Sequence, residues 1–327
     1  MNTRRRALLI GLCAVLPPPL QALAQKTRVW RVGVLETTSI SLNATNFDGL
    51  RKGLRALGYA EGQNLVFDYR SAEGRGERFA AFASELVNGK TDLIVTRGTP
   101  ALLAVSKATT TIPIVMAAIG EPPGRGIIAT LARPGGNVTG LSAFVTELTG
   151  KRTEMLREMV PKLSRIATLL DMSNPISAAQ WKETQIAAQS MGVPSQLLDV
   201  RKAEELESAF SQAVKQHADG LVVGIDAFTQ QNRRLIAELC VKHHLPAIYA
   251  SKEFAEAGGL ISYGVSYPDL YYRAANFIHK IFMGAKPGDL PVEQPTRYEL
   301  VINRKAAASL GLRIPASLAI RADEVIN

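Results

Sequence analysis

Arg31–Leu35 reads RVGVL, and Phe47, Leu50, Leu54 and Leu57 follow it, with Gly58 directly behind. The first run is short and β-branched, which suits a strand. The next four apolar residues recur every three or four positions, so they share one face of a helix that Gly58 stops. The unit then repeats. Leu65–Arg70 reads as a strand, Phe79, Phe82 and Leu86 as a helical stripe, and Asp92–Thr96 as a strand. Thr99-Pro100 opens a helix, with Thr99 expected as N-cap and Pro100 in the first turn. Ile114–Ala118 is again a strand. Successive βα units of this kind imply a parallel sheet covered by helices on both faces.

A loop rich in Pro and Gly runs from Gly120 to Gly136, and then the rhythm restarts. Helices are expected over Lys151–Val160, Ile176–Met191, Ala203–Gln216, Gln230–His243 and Tyr271–Met283. Strands are expected over Arg165–Leu170, Gln196–Asp199, Leu221–Gly224, Ala247–Tyr249, Leu260–Tyr263 and Tyr298–Ile302. Two βαβα blocks of similar size suggest two similar lobes, although no sequence repeat relates them. The length of 327 residues suits two domains, and 46% hydrophobic against 20% charged residues predicts a packed core.

The N-terminus reads as an export signal. Arg4, Arg5 and Arg6 precede the apolar run Ala7–Leu16, which is too short to span a bilayer, and Pro17–Pro19 ends it. Ala22-Leu23-Ala24 fits the small-x-small rule and predicts cleavage after Ala24. A membrane anchor and a twin-arginine signal are the alternatives. Cleavage removes Cys13 and leaves Cys240, which cannot form an internal disulfide and sits in an apolar helical stretch as a small buried hydrophobe. It also lowers the formal charge from +9 to +6, because three arginines leave. The remaining basic residues are scattered and show no block interleaved with aromatics, so nucleic acid is not expected as a partner.

Several chemistries are disfavoured. Val32-Gly33-Val34 runs into Glu36-Thr37 with no G-x-G-x-x-G, and Gly89-Lys90-Thr91 lacks the earlier glycine of a P-loop. No G-x-S-x-G is present. Four histidines, two of them adjacent at His243 and His244, give no credible zinc ligand set. No cofactor, metal or catalytic group is therefore expected.

In open α/β sheets a ligand binds beyond the carboxyl ends of the strands. The strand ends supply Glu36, Thr37, Thr38, Arg97, Gly98, Thr99, Gly120 and Glu121 in the first block. The second block supplies Ser173, Asn174, Asp226, Tyr249 and Tyr263. Gly98-Thr99 at a helix start offers N–H groups and a positive dipole to a carboxylate or phosphate, unless Thr99 only caps its helix. Arg97 is suited to an anion, or to a nearby acid such as Asp92. Asp226 is suited to an ammonium group, or to capping the next helix. The two tyrosines are suited to stacking on a ring, or to the core.

Several motifs then converge. They are Leu131–Gly140 (LARPGGNVTG), Gly150-Lys151-Arg152, Ala257–Gly264 (AGGLISYG), Leu290–Pro295 (LPVEQP), Arg321–Ile326 (RADEVI) and Gly58–Asn64 (GYAEGQN). Together they resemble the substrate-binding proteins of ABC importers, in the branch that includes tryptophan and other aromatic amino-acid binders. The resemblance implies the type I periplasmic-binding-protein fold: two doubly wound, Rossmann-like α/β lobes with a ligand cleft between them. It implies a signal peptide over 1–24, a first lobe from 29–142 plus 266–292, and a second from 143–265 plus 293–327. Crossovers are expected near Leu141–Thr146, Val265–Tyr267 and Val292–Pro295. It further implies a periplasmic monomer that traps a small, carboxylate-bearing solute, aromatic or aliphatic, and delivers it to a membrane permease with its ATPase, changing no bond. In relatives Ser/Thr and backbone groups hold a carboxylate and an acid holds an amine; Thr37, Thr99, Ser173, Asn174 and Asp226 are similar by position. One departure is Gly120-Glu121-Pro122-Pro123, where many members resemble Gly-Asp-Pro-Val. An extracytoplasmic sensor is the runner-up and an enzyme third. A repressor of this fold needs a helix-turn-helix before the first strand, where here only the signal stands.

Overall fold

The computed structural model describes residues 28–121, 127–143 and 145–327. The expected signal segment and Pro122-Pro123 lie outside the described residues. The first block forms β1 (Trp30–Glu36), α1 (Ala44–Ala56), β2 (Leu65–Ser71), α2 (Phe79–Asn88), β3 (Leu93–Arg97), α3 (Thr99–Ala108), β4 (Ile114–Ile119) and β5 (Val138–Ser142). These five strands make one parallel sheet in the order β2-β1-β3-β4-β5. The helical stripe read from the sequence is the buried face of α1, with Phe47, Leu50 and Leu54 packed beneath Val32, Val34 and Val95. Full burial of each such side chain stabilises by roughly 1.5–3 kcal/mol.

The second block contains α4 (Glu147–Met159), β6 (Ile166–Leu170), α5 (Ser177–Ser190), β7 (Ser195–Asp199), α6 (Ala203–Lys215) and β8 (Gly220–Val223). It continues with α7 (Ala227–Gln231), α8 (Arg233–Lys242), β9 (Ala247–Tyr249), α9 (Lys252–Glu256) and β10 (Ile261–Val265). Next, α10 (Tyr267–Phe282) returns to the first lobe, where Leu270, Tyr271, Ala274, Phe277 and Ile278 join the core of α1. The chain then comes back to the second lobe as β11 (Tyr298–Asn303), α11 (Arg304–Ser309), α12 (Ala316–Arg321) and β12 (Glu324–Ile326). The second sheet has the order β12-β11-β10-β9-β8-β6-β7, with β11 antiparallel to β10.

Some elements differ from the sequence reading. β5 lies directly behind the Pro/Gly-rich stretch and carries no clear strand signal, because Thr139, Gly140 and Ser142 leave no apolar run in Val138–Ser142. The single helix expected over Gln230–His243 is two, broken at Asn232, whose backbone leaves the helical region. α10 starts four residues earlier than its apolar stripe suggests, since Pro268 is tolerated in the first turn.

The chain passes between lobes three times: between β5 and α4, at Ser266, and between Glu293 and β11. The last passage leaves from the edge of β5, where Ser142 N donates to Glu293 O (2.9 Å) and Glu293 N donates to Gly140 O (2.9 Å). Val292 N also donates to Leu131 O at 2.7 Å, and Gly135 N to Gly288 O at 3.2 Å. The two signature stretches that are far apart in sequence therefore lie side by side against the first sheet.

Candidate functional site

Both sheets reverse their winding direction at one place. In the first sheet this is between β1 and β3, and in the second between β6 and β8. Loops splay apart at such a switch point and leave a crevice at the strands' carboxyl ends. The two crevices face one another. The loops after β1 and β3 bring Thr37, Arg97, Gly98 and Thr99 to the cavity, and those after β6 and β8 bring Asn174 and Asp226. Gly120, Ala118 and Ala143 add wall from the first lobe, while Ile176, Ile225, Ala227 and Gln230 add wall from the second.

The lobes touch around this space. Ser39 N donates to Gln231 Oε1 at 3.3 Å, Arg233 Nη2 to Leu42 O at 3.2 Å and Asn46 Nδ2 to Glu253 Oε1 at 3.4 Å. The inner cavity is small, about 40 Å³. Past Pro100, Asn174 and Ala227, which line both spaces, lies an outer cleft of about 770 Å³. Lys107, Arg75, Arg201 and Lys202 stand around that outer cleft with Glu77 and Asp171.

Arg97 ends β3 and is 5% exposed. Its Nη1 donates to Asn43 Oδ1 at 3.1 Å, and its guanidinium lies 4.3 Å from the centre of the Tyr267 ring. Asp92, the acid suggested from sequence, is instead bound to Arg28 (2.7 Å) and to the backbone N of Arg31 (2.8 Å). Arg97 Nη2 is buried with no hydrogen-bond partner among the described residues. Burial works against its charge, but Tyr271, Tyr267, Glu36 and Glu253 outweigh burial and raise its pKa, so it stays a cation.

Thr99 does not cap its helix. The N-cap is Gly98, and no side chain caps α3. Gly98 has φ +81°, and a Cβ there would stand 2.8 Å from Thr37 Cγ2, so both backbone and space call for glycine. Thr99 Oγ1 is buried without a partner among the described residues. It stands at the positive end of α3, whose first-turn N–H groups have no intrahelical acceptor.

Asp226 faces this end from the other lobe. It caps α7: Oδ1 accepts from Thr229 N at 2.7 Å and Oδ2 from Asp171 N at 3.2 Å. A carboxylate has about four lone-pair positions, so two bonds leave room for a ligand donor. Burial pushes its pKa up to about 7, against those two bonds and with help from the Asp171 charge.

The other residues read from the sequence fall elsewhere. Glu36 is fully buried behind Arg97, accepts from the Tyr271 hydroxyl, and has its pKa raised by burial; Arg97 and the hydrogen bonds oppose the rise. Thr38 is buried beside it, off the cavity. Glu121 accepts from Thr146 Oγ1 at 3.1 Å and does not line the cavity. Ser173 lines the outer cleft and donates to Asp171 Oδ1 at 2.6 Å. Tyr249 is a core residue, and Tyr263 is partly buried against the core. Tyr249 is fully buried, stacks on Phe254 and donates to Cys240 Sγ at 3.2 Å. Tyr263 packs near Tyr298, 6.0 Å between ring centres. Neither tyrosine lines the cavity; from this part of the second sheet it is Tyr267, just beyond the end of β10, that does. Asn43, Gln230 and Tyr267 were not singled out from sequence. For Tyr267 a signal existed, because Ser266-Tyr267-Pro268 reads as a helix start.

A two-lobed α/β protein with polar groups from both lobes converging on one cleft is a ligand-trapping protein by architecture, with the type I periplasmic-binding-protein fold. Residues 31–326 match the family of ABC transporter substrate binding proteins, and the chain belongs to that family. A curated relative, the tyrosine-binding protein of Clostridioides difficile (strain R20291), is 27% identical over 265 residues, covering 81% of this chain and 76% of that protein. A conserved domain protein from Vibrio cholerae is similar in structure, with TM-score 0.85 and 28% identity over 91% of this chain and 100% of that one. An ABC domain from Streptococcus pneumonia in complex with L-Trp has TM-score 0.84 and 29% identity, again over 91% and 100%.

Proposed function

We propose that this chain is the periplasmic solute-binding component of an ABC importer and that its cargo has α-amino-acid chemistry. The observation that carries this reading is the pairing across the cavity: two donors unpartnered among the described residues, Arg97 Nη2 and Thr99 Oγ1, against the Asp226 carboxylate of the opposite lobe. A carboxylate suits the first pair and the N-terminus of α3. An ammonium group suits Asp226. The inner space has room for the polar head only. The side chain then passes Pro100, Asn174 and Ala227 into the outer cleft, which is large enough for an aromatic ring. The tyrosine-binding relative and the L-Trp complex support an aromatic side chain.

Mechanism follows from where the groups sit. Each lobe alone holds half of the site, so a solute that contacts both has its highest affinity for the closed form. It shifts the population toward closure by that difference and no more. The closed protein docks on a permease as a monomer, the partner ATPase drives transfer, and no bond of the cargo changes. The test is a thermal-shift and calorimetric panel of L-tyrosine, L-tryptophan, aliphatic amino acids and aromatic acids lacking the amine. Ligand at about 100 times its Kd should stabilise the protein by about 2.7 kcal/mol. Preference for amino acids, recovered unmodified, supports the reading. Equal binding of acids without the amine removes Asp226 from it, and chemical conversion of the ligand replaces transport with catalysis.

A further inference from the structure

Gly150-Lys151-Arg152 belongs to the sequence signature, yet none of the three lines the cavity. Lys151 is exposed and pairs with Glu154 at 2.9 Å. Arg152 is different. It is 1% exposed and is the bulkiest of the fully buried side chains. Among the described residues no carboxylate lies within ion-pair distance of it. Its bonds all go to neutral oxygens: Nε donates to Tyr263 O at 2.8 Å, and Nη1 donates to Thr149 Oγ1 at 3.3 Å and to Val145 O at 3.4 Å. Burial pushes its pKa down to about 10, so it is still charged at neutral pH.

A buried, unpaired cation is expensive, and an apolar side chain of similar volume would fill the space at less cost. What an arginine supplies instead is a rigid, directional set of donors. Their targets are specific. Val145 stands in the first passage between the lobes, and Tyr263 stands three residues before the second, at Ser266. Arg152 itself is fixed in the body of α4, on the second lobe. One guanidinium thus ties the first passage, where it enters that lobe at Val145, to the middle of β10, the strand that leads into the second. Val145 also lines the cavity, as does Tyr267 just after Ser266.

We propose that Arg152 is a positioning residue for the cleft: it clamps the first interlobe passage to the strand that leads into the second and so limits the range of angles the lobes can adopt. This rests on the two-lobe binding reading but not on the identity of the solute. Hinges are a few residues that absorb changes in φ and ψ, and fixing the carbonyls beside them restricts which residues those are.

The test uses residues 25–327, which lack Cys13, with Lys107→Cys and Lys202→Cys, exposed positions on opposite lobes at the outer cleft, labelled for single-molecule energy transfer. Cys240 is buried and leaves the labelling clean. No solute is added, so a wrong cargo assignment does not affect the result. In Arg152→Met the distribution of interlobe distances should broaden on the order of twofold relative to the parent. Arg152→Lys, which keeps the charge and one or two bonds, should fall between them. Amide exchange in β6, β8 and β9 should remain protected in both variants. An unchanged distance distribution in Arg152→Met overturns the proposal. So does a loss of protection through the second sheet with no change in distance, which is the signature of a core residue only. Should Arg152→Met fail to fold, Arg152→Lys decides alone: a parental distribution overturns the clamp, and a broadened one with the sheet intact supports it.

Discussion

The carboxyl of Asp226 should make both stability and binding depend on pH, in opposite directions. Burial raises its pKa from the ordinary 3.8 to about 7. Between those values the folded protein holds the proton and the unfolded chain does not. The folded state therefore binds more protons, and stability falls as pH rises. The contribution is fully present below 3.8 and is lost as pH climbs through about 7. At ~1.4 kcal/mol per pH unit, the whole interval corresponds to about 4 kcal/mol, an upper bound because the site can relax or admit water. The reference is Asp226→Asn, which keeps the capping bond to Thr229 N and cannot ionise. Its amide also meets the N–H of Asp171 unfavourably, but that cost does not vary with pH. Urea unfolding from about pH 4 to pH 8 should show wild-type stability, taken relative to the variant, falling by several kcal/mol. Calorimetry with L-tyrosine or L-tryptophan should show the reverse trend. An ammonium group needs the ionised carboxylate, so affinity should rise about tenfold per pH unit up to about 7 and then level off. Asp226→Asn should bind weakly and without this slope. A flat difference in stability across the range would refute the buried titration. A slope in affinity that survives in Asp226→Asn would refute its role as the ammonium partner.

Three further outcomes are expected. Thr99→Val should leave urea stability within about 0.5 kcal/mol, because Thr99 Oγ1 has no partner among the described residues, yet weaken ligand binding by about 0.5–1.5 kcal/mol in calorimetry. Loss of stability without loss of affinity would restore the capping role. Arg97→Ala should weaken a carboxylate ligand by about 1.5–3 kcal/mol, and unchanged affinity would remove Arg97 from the site. Gly140→Ala should lower the urea midpoint by the equivalent of at least about 1–3 kcal/mol, since φ is +129° and the new Cβ would meet Met116 O at 2.3 Å. A neutral result there would mean that the edge of the first sheet yields easily.

The sequence alone determined the alternation of elements, because strand and helix have different apolar periods. RVGVL at Arg31–Leu35, and Phe47, Leu50 and Leu54 after it, carry that information locally, and the structure buries Val32–Leu35 and the three helical residues while leaving Arg31 exposed. The sequence also nominated strand ends as places for a ligand, since a parallel sheet presents them on one side. What it did not contain was the order of the strands. Tyr249 and Tyr263 end strands just as Arg97 does, and nothing local separates them. The order β1-β3 and β8-β6 at the switch points opens a crevice beside Arg97, Thr99 and Asp226, which neither tyrosine lines. The same limit applies to partners. Thr99 reads as a cap until Gly98, at positive φ, takes that place and leaves its hydroxyl unpaired among the described residues. Arg152 is legible in the sequence only as part of a motif, and it is α4 that packs it against Tyr263, 111 positions along the chain. Local patterning fixes which face of each element is apolar, because that depends on neighbours in sequence. Which polar groups are left facing a shared space depends on elements brought together by the chain's crossings, and only the tertiary structure decides it.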